Sequence, residues 1–153
     1  MGTGPNSAIG AEPQSRGVAI LDGSCLCGEV RYTVADEFTY ALICHCSQCR
    51  RATGSAFKPF GGIERAKLKV TQGNLRIFGD VMTHDAHCET CGSLLYSIVQ
   101  EGTVAHVTYG TLTDVPTLKP QAHIFVGWKA PWYEILDALP RYEAFPPEPV
   151  SYP

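Results

Sequence analysis

The sequence predicts a mainly β fold of short antiparallel strands with one short C-terminal helix, on three observations. Apolar and polar residues alternate over short segments, turn-forming Gly, Pro, Asn and Asp separate those segments, and helical spacing occurs in a single late stretch. With 153 residues, 44% hydrophobic and 18% charged, the chain suits one domain with its own core.

The opening "MGTGPNSAIGAEPQSRG" has no apolar period, so residues 1–17 are expected to be a flexible tail and the domain to occupy residues 18–147. "VAILD" and "EVRYTVA" read as strands around "GSCLCG", and "FTYALICHC" as a strand running into a cysteine cluster. "KLKV" and "LRIF" flank "TQGN", which predicts a hairpin turning at Gly73 and Asn74. "LLYSIV", "VAHVTYG" and "AHIFVGW" add further strands. In "PWYEILDALP", Trp132, Ile135, Leu136 and Leu139 recur at helical spacing between Pro131 and Pro140, which predicts a short amphipathic helix. The proline-rich end, residues 148–153, is expected to be an extended tail.

Charge and hydropathy exclude several classes. A formal charge of -3 and a pI near 5.9 give no basic field for nucleic acid. No apolar run is long enough to cross a bilayer, the N-terminus has no secretory pattern, and Asn6 breaks the myristoylation pattern. A cytoplasmic protein without a membrane partner is expected; a homo-oligomer is compatible with the sequence.

Seven cysteines without an export signal read as metal ligands or catalytic thiols, and their odd number forbids full pairing within one chain. Cys25 and Cys27 in "CLCG" and Cys88 and Cys91 in "CETCG" form two tight pairs, a set that completes a four-thiolate structural zinc site; buried free thiols are the alternative. Cys44, Cys46 and Cys49 in "CHCSQC" are one ligand short of a closed site. Strand alternation turns His45 away from Cys44 and Cys46, so it is a weak candidate for the fourth ligand and reads better as a core or turn histidine. His84 and His87 are weaker candidates, as groups supporting the ligands. An open position on the second zinc is the usual mark of a catalytic site.

The segments "GSCLCGEVRY", "CHCSQCRRATGSAF", "CETCGSLLY" and "HIFVGWKAPWYEI", in that order, resemble the glutathione-dependent formaldehyde-activating family, which includes relatives of centromere protein V. The resemblance runs from about Gly23 to Pro146. It implies a zinc-organised β-tent type fold with two zinc ions per chain: Cys25, Cys27, Cys88 and Cys91 hold the structural ion, and Cys44, Cys46 and Cys49 the catalytic one. It also implies a carbon-sulfur lyase-type enzyme, joining glutathione and formaldehyde as S-hydroxymethylglutathione or cleaving that adduct, with a small-molecule thiol and an aldehyde as partners.

Zinc with three thiolates is a modest Lewis acid, better suited to receiving a thiol than to activating water. A thiolate added there needs compensating charge, and Arg50 or Arg51 is expected to supply it or to bind a glutathione carboxylate; two solvated surface arginines are the alternative. Ser47, Thr53 and Ser55 are possible donors in the same turn, and Phe57, Phe60 and Trp128 suit either a pocket wall or the core. Two other readings are a zinc enzyme with a different substrate and a non-enzymatic zinc-binding interaction module.

Overall fold

The computed structural model describes residues 17–147, so the expected tails lie outside the described residues except for Gly17. In chain order the elements are β1 (Ile20–Ser24), β2 (Arg31–Ala35), β3 (Tyr40–Cys44), α1 (Ser47–Thr53), β4 (Lys58–Glu64), β5 (Leu68–Gln72), β6 (Leu75–Gly79), β7 (His84–Cys88), β8 (Leu94–Val99), β9 (Val104–Thr108) and β10 (His123–Ile124). Two sheets result, one ordered β1-β2-β5 and the other β10-β3-β4-β9-β8-β7-β6. All pairings are antiparallel except β10 with β3. The fold is mainly β, as the alternation implied.

Burial follows position in the sheets. In β2, Tyr32 and Val34 are buried while Arg31 is exposed, the alternation of a strand with one covered face. β8 lies inside the large sheet and its first five residues, "LLYSI", are all buried, as expected when both faces are covered. β6 forms an edge and is largely exposed. One core cluster includes Leu21, Tyr32, Val34, Leu95, Ile98 and Val107 and contains Cys25 and Cys88. A second joins Leu42, Phe60, Ala122 and Ile124 around Cys44, with Cys46 and Cys49 packed against it. Each cysteine group is therefore rooted in its own apolar cluster, which limits how far its backbone can move.

Two local expectations fail. The "KLKV" and "LRIF" strands form but do not pair with each other: β5 joins β2 and β6 joins β7, so "TQGN" carries the chain from one sheet to the other. Gly73 there has φ +86°, and a Cβ would stand 2.3 Å from the Glu29 carbonyl oxygen, so a close crossing of two backbones, rather than a hairpin turn, requires this glycine.

The helix expected over residues 131–140 is absent; the segment is irregular. Its apolar stripe has little to bury against, since Trp132 and Leu136 are 71% and 84% exposed and only Ile135 is buried. Side chains also take the carbonyls a helix would use: Lys129 Nζ donates to the Tyr133 oxygen, and Arg141 donates to the oxygens of Ile135 and Asp137. Without a buried face, a segment this short does not recover the cost of helix nucleation. The one α-helix among the described residues is α1, inside the cysteine cluster. Cys46 caps it by accepting the Cys49 N–H on Sγ, and Gly54 ends it in the left-handed region.

Candidate metal centres

The first centre is built by two loops from distant parts of the chain. Cys25 follows β1, and its sulfur accepts the Val30 N–H at 3.2 Å; Cys88 ends β7, and its sulfur accepts the Cys91 N–H at 3.4 Å. Gly28 and Gly92, after the two pairs, take φ values of +80° and +79°, which fold each loop back over its sulfurs. Leu26 N–H donates to Ser93 Oγ, tying the loops together.

The sulfurs of Cys25, Cys27, Cys88 and Cys91 all lie within 4.8 Å of one another, with Cys25 to Cys27 at 3.5 Å and Cys27 to Cys88 at 3.8 Å. A tetrahedral zinc with Zn–S bonds of about 2.3 Å requires sulfur separations of about 3.8 Å, so four thiolates here fit a closed zinc site. Hydrogen bonds from Ser93 hold the Cys91 thiol down to about 5, whereas Cys27, against a backbone hydrogen bond at Glu29, is pushed up to about 12 by burial and the neighbouring thiols, so the four sulfurs do not all ionise without a cation.

The second centre occupies the junction of β3 and α1. Cys44 ends the strand, Cys46 caps the helix and Cys49 lies in its first turn, so three sulfurs converge within 4.8 Å. Among the described residues no fourth His, Cys, Asp or Glu joins them. The adjacent Cys44 thiol, reinforced by burial, pushes the Cys49 thiol strongly up. Three thiolates cannot share this partly buried corner without a cation, and the donor set fits a soft or borderline metal such as zinc.

His45 points away from this cluster. It is fully buried, its Nε2 lies 2.8 Å from His123 Nδ1, and His123 Nε2 in turn lies 2.9 Å from Asp137 Oδ2. Because a carboxylate only accepts, His123 donates to Asp137 from Nε2, and His123 Nδ1 shares a hydrogen bond with His45 Nε2. Burial holds His45 down to about 4, so it is a neutral core group linking the cysteine loop to the irregular C-terminal segment. His87 donates from Nδ1 to the Gly92 oxygen, bracing the loop that carries Cys91, and His84 donates to the Asp80 oxygen. Neither joins the sulfurs.

Cys44, Cys46 and Cys49 form part of the wall of a cavity of about 550 Å³. Its apolar lining includes Phe60 and Trp128, both considered from the sequence, together with Phe78, Phe125 and Phe145; Ser47 also reaches it. Phe57 does not line it and instead packs against His45 and Tyr133. Thr53 donates to the Cys49 oxygen within α1, and Ser55 accepts the Phe57 N–H, so their hydrogen bonds are local. Arg50 and Arg51 lie in the last turn of α1 and are not part of the cavity lining; Arg50 Nε is buried without a hydrogen-bond partner.

The sequence reading missed six polar residues of this cavity, Gln48, Lys58, Thr83, Asp85, Ser97 and His106. Lys58 opens β4 opposite Cys44 in the β3–β4 register and is only 5% exposed. Its Nζ donates to Ser97 Oγ at 2.7 Å, and Ser97 donates to Asp85 Oδ1 at 2.5 Å. His106 shares a hydrogen bond of 2.7 Å with the Tyr40 hydroxyl, and its ring lies on Phe60 with centroids 4.2 Å apart. Burial, then the charge of Lys58, holds His106 down to about 3, so it faces the cavity neutral. A lysine embedded between Phe57 and Phe60 was the one available signal, since lysine is seldom buried unless paired.

The family model described as glutathione-dependent formaldehyde-activating enzyme matches residues 20–128. The chain belongs to that family. A crystal structure of a Rhodobacter sphaeroides protein is similar to this formaldehyde-activating-family chain, with 27% identity and a TM-score of 0.51, over 63% of this chain and 92% of that one. A search of curated proteins gave no match. The family match spans all seven cysteines, so both sulfur centres and most of the cavity lie in the part the family shares. Among the described residues, no helix of this family member is long and apolar enough to cross a membrane.

Proposed function

We propose that the chain is a zinc-dependent carbon-sulfur lyase-type enzyme that forms or cleaves the adduct of glutathione with formaldehyde or a related small electrophile. The observation that carries this reading is three sulfurs converging on a cavity wall with no fourth ligand residue beside them among the described residues. The four-sulfur centre, tied into the main core, is the structural zinc site; Cys44, Cys46 and Cys49 hold the second ion.

Cys44, Cys46 and Cys49 would hold the zinc ion, which would supply the positive charge that favours a substrate thiol as its thiolate. The protein's own residues supply the rest. The cap and first turn of α1 fix Cys46 and Cys49, and the rings of Phe60 and Trp128 form part of the cavity wall beside them. The sulfur lone pair attacks the carbonyl carbon, a C–S bond forms, the π pair moves to oxygen, and a proton from water completes the hydroxyl. Cleavage is the reverse. In this scheme Arg50 and Arg51, on the helix that bears Cys49 but outside the cavity lining, serve the carboxylates of glutathione.

Zinc-edge X-ray absorption tests the reading. With two zinc ions bound, the mean sulfur coordination should rise when glutathione is added, by one sulfur on one of the two sites. An unchanged sulfur count at saturating glutathione refutes the proposal.

A further inference from the structure

The cavity contains a buried positive charge that is fixed in place and only partly used. Lys58 is 5% exposed, and among the described residues no carboxylate touches its ammonium directly; its partner there is the neutral hydroxyl of Ser97. The hydrogen-bond direction is settled by chemistry. The ammonium has only donors, so Ser97 must accept from it, and the Ser97 proton then goes to Asp85.

One of the ammonium's three N–H groups is thereby occupied, leaving two for the cavity. Ser97 belongs to β8 and Asp85 to β7, paired directly across the sheet, so the tether is as rigid as the sheet itself. A buried ammonium lacking a direct counter-ion is costly to maintain, which is unexpected in a wall serving only to pack.

The location of this charge restricts what it can recognise. Lys58 stands opposite Cys44 in register; burial, the largest effect, weakens its hold on the proton, and the nearby charges of Cys49, Asp85, Cys44 and Cys46 oppose that. An anion recognised here must therefore form close to the substrate sulfur. The carboxylates of glutathione are several bonds from its sulfur, whereas the oxygen of an aldehyde adduct is only two bonds away.

We propose that Lys58, aimed by Ser97 and Asp85, forms an oxyanion subsite that donates hydrogen bonds to the oxygen on the carbon attached to the substrate sulfur. This rests on the function proposed above and names the group that receives the developing charge. As the C–S bond forms and the π pair moves to oxygen, the ammonium meets the developing alkoxide. Lys58 keeps its protons: the thiol proton leaves to solvent, and the alkoxide takes one from solvent. Ser97 and Asp85 are positioning residues.

The test uses the zinc-loaded protein and two thiols of nearly equal shape, mercaptoacetate, whose carboxylate oxygens lie one bond further from sulfur than the adduct oxygen, and its neutral amide, mercaptoacetamide. Calorimetric titration gives the ratio of their affinities, in which the shared contribution of the sulfur largely cancels. Lys58→Met should lower the preference for mercaptoacetate at least about tenfold, and Lys58→Arg should retain most of it. Ser97→Ala should lower it severalfold with zinc content unchanged, and this variant carries the test if Lys58→Met does not fold.

An unchanged ratio in both Lys58→Met and Ser97→Ala overturns the proposal. So does an effect confined to glutathione, which would assign Lys58 to a glutathione carboxylate. If the unsubstituted protein binds neither thiol, the function proposed above falls as well.

Discussion

Replacing Cys88 by Ser should cost far more stability than replacing Cys46 by Ser, although each removes one sulfur from one centre. Cys27 and Cys88, in contact at 3.8 Å, are 61 positions apart, so a metal joining them closes a long loop. Treated as a cross-link, that closure is worth about 4 kcal/mol, against about 2 kcal/mol for the six-residue span of Cys44 to Cys49. A domain of this size has about 5–15 kcal/mol of stability in all.

At roughly 2–4 °C per kcal/mol, Cys88→Ser should lower Tm by about 8–16 °C, and Cys46→Ser by about half as much. The assay is differential scanning calorimetry with zinc counted on the same samples. Cys46→Ser should keep one zinc ion and the fold, and chelating the zinc from the unsubstituted protein should reproduce at least the Cys88→Ser loss. Equal Tm losses in the two variants, or loss of both ions from Cys46→Ser, would refute the division into structural and catalytic centres.

Two other perturbations probe the cavity and its surroundings. His106, held down to about 3 against an ordinary 6.5, stays neutral in the fold while the unfolded chain takes up a proton; its contribution is complete above about pH 6.5 and is lost as pH falls toward 3. His106→Gln should therefore lose up to about 3 kcal/mol less than the unsubstituted protein between pH 7 and pH 4 in urea unfolding, and parallel pH profiles would contradict this. Arg50→Ala should weaken glutathione binding about tenfold in calorimetric titration and leave mercaptoacetamide binding unchanged; equal weakening of both ligands would remove Arg50 from glutathione recognition.

The two sulfur groups were legible in the sequence because ligands that share a short turn must be close in space. "CLC", "CETC" and "CHCSQC" are such turns, and strand alternation around Cys44 also foretold that His45 would face away. The family resemblance read from four segments is matched by the family found over residues 20–128. β4 and β7 were harder to read. "KPFGGIE" carries a proline and two glycines, and "HDAHC" is mostly polar, so neither displays the usual strand composition although both lie inside the large sheet.

The missed helix and the misplaced one share a physical cause. "SQCRRAT" has no apolar stripe and forms because Cys46 caps it within the cysteine turn, whereas "PWYEILDALP" has the stripe but lacks a surface that would bury it. Helical periodicity reports an available face, and only packing makes that face worth forming.

By itself the sequence determined the β class, the grouping of seven cysteines as four and three, and the family, since each depends on residues adjacent in the chain or on their order. The tertiary structure alone decided that the sulfur trio opens on a cavity and that Lys58 is buried beside it. That assignment depends on strand register: Lys58 faces Cys44 across one sheet pairing, and Ser97 meets Asp85 across another. Long-range register is set by how the whole core packs, and no local pattern around Lys58 encodes it.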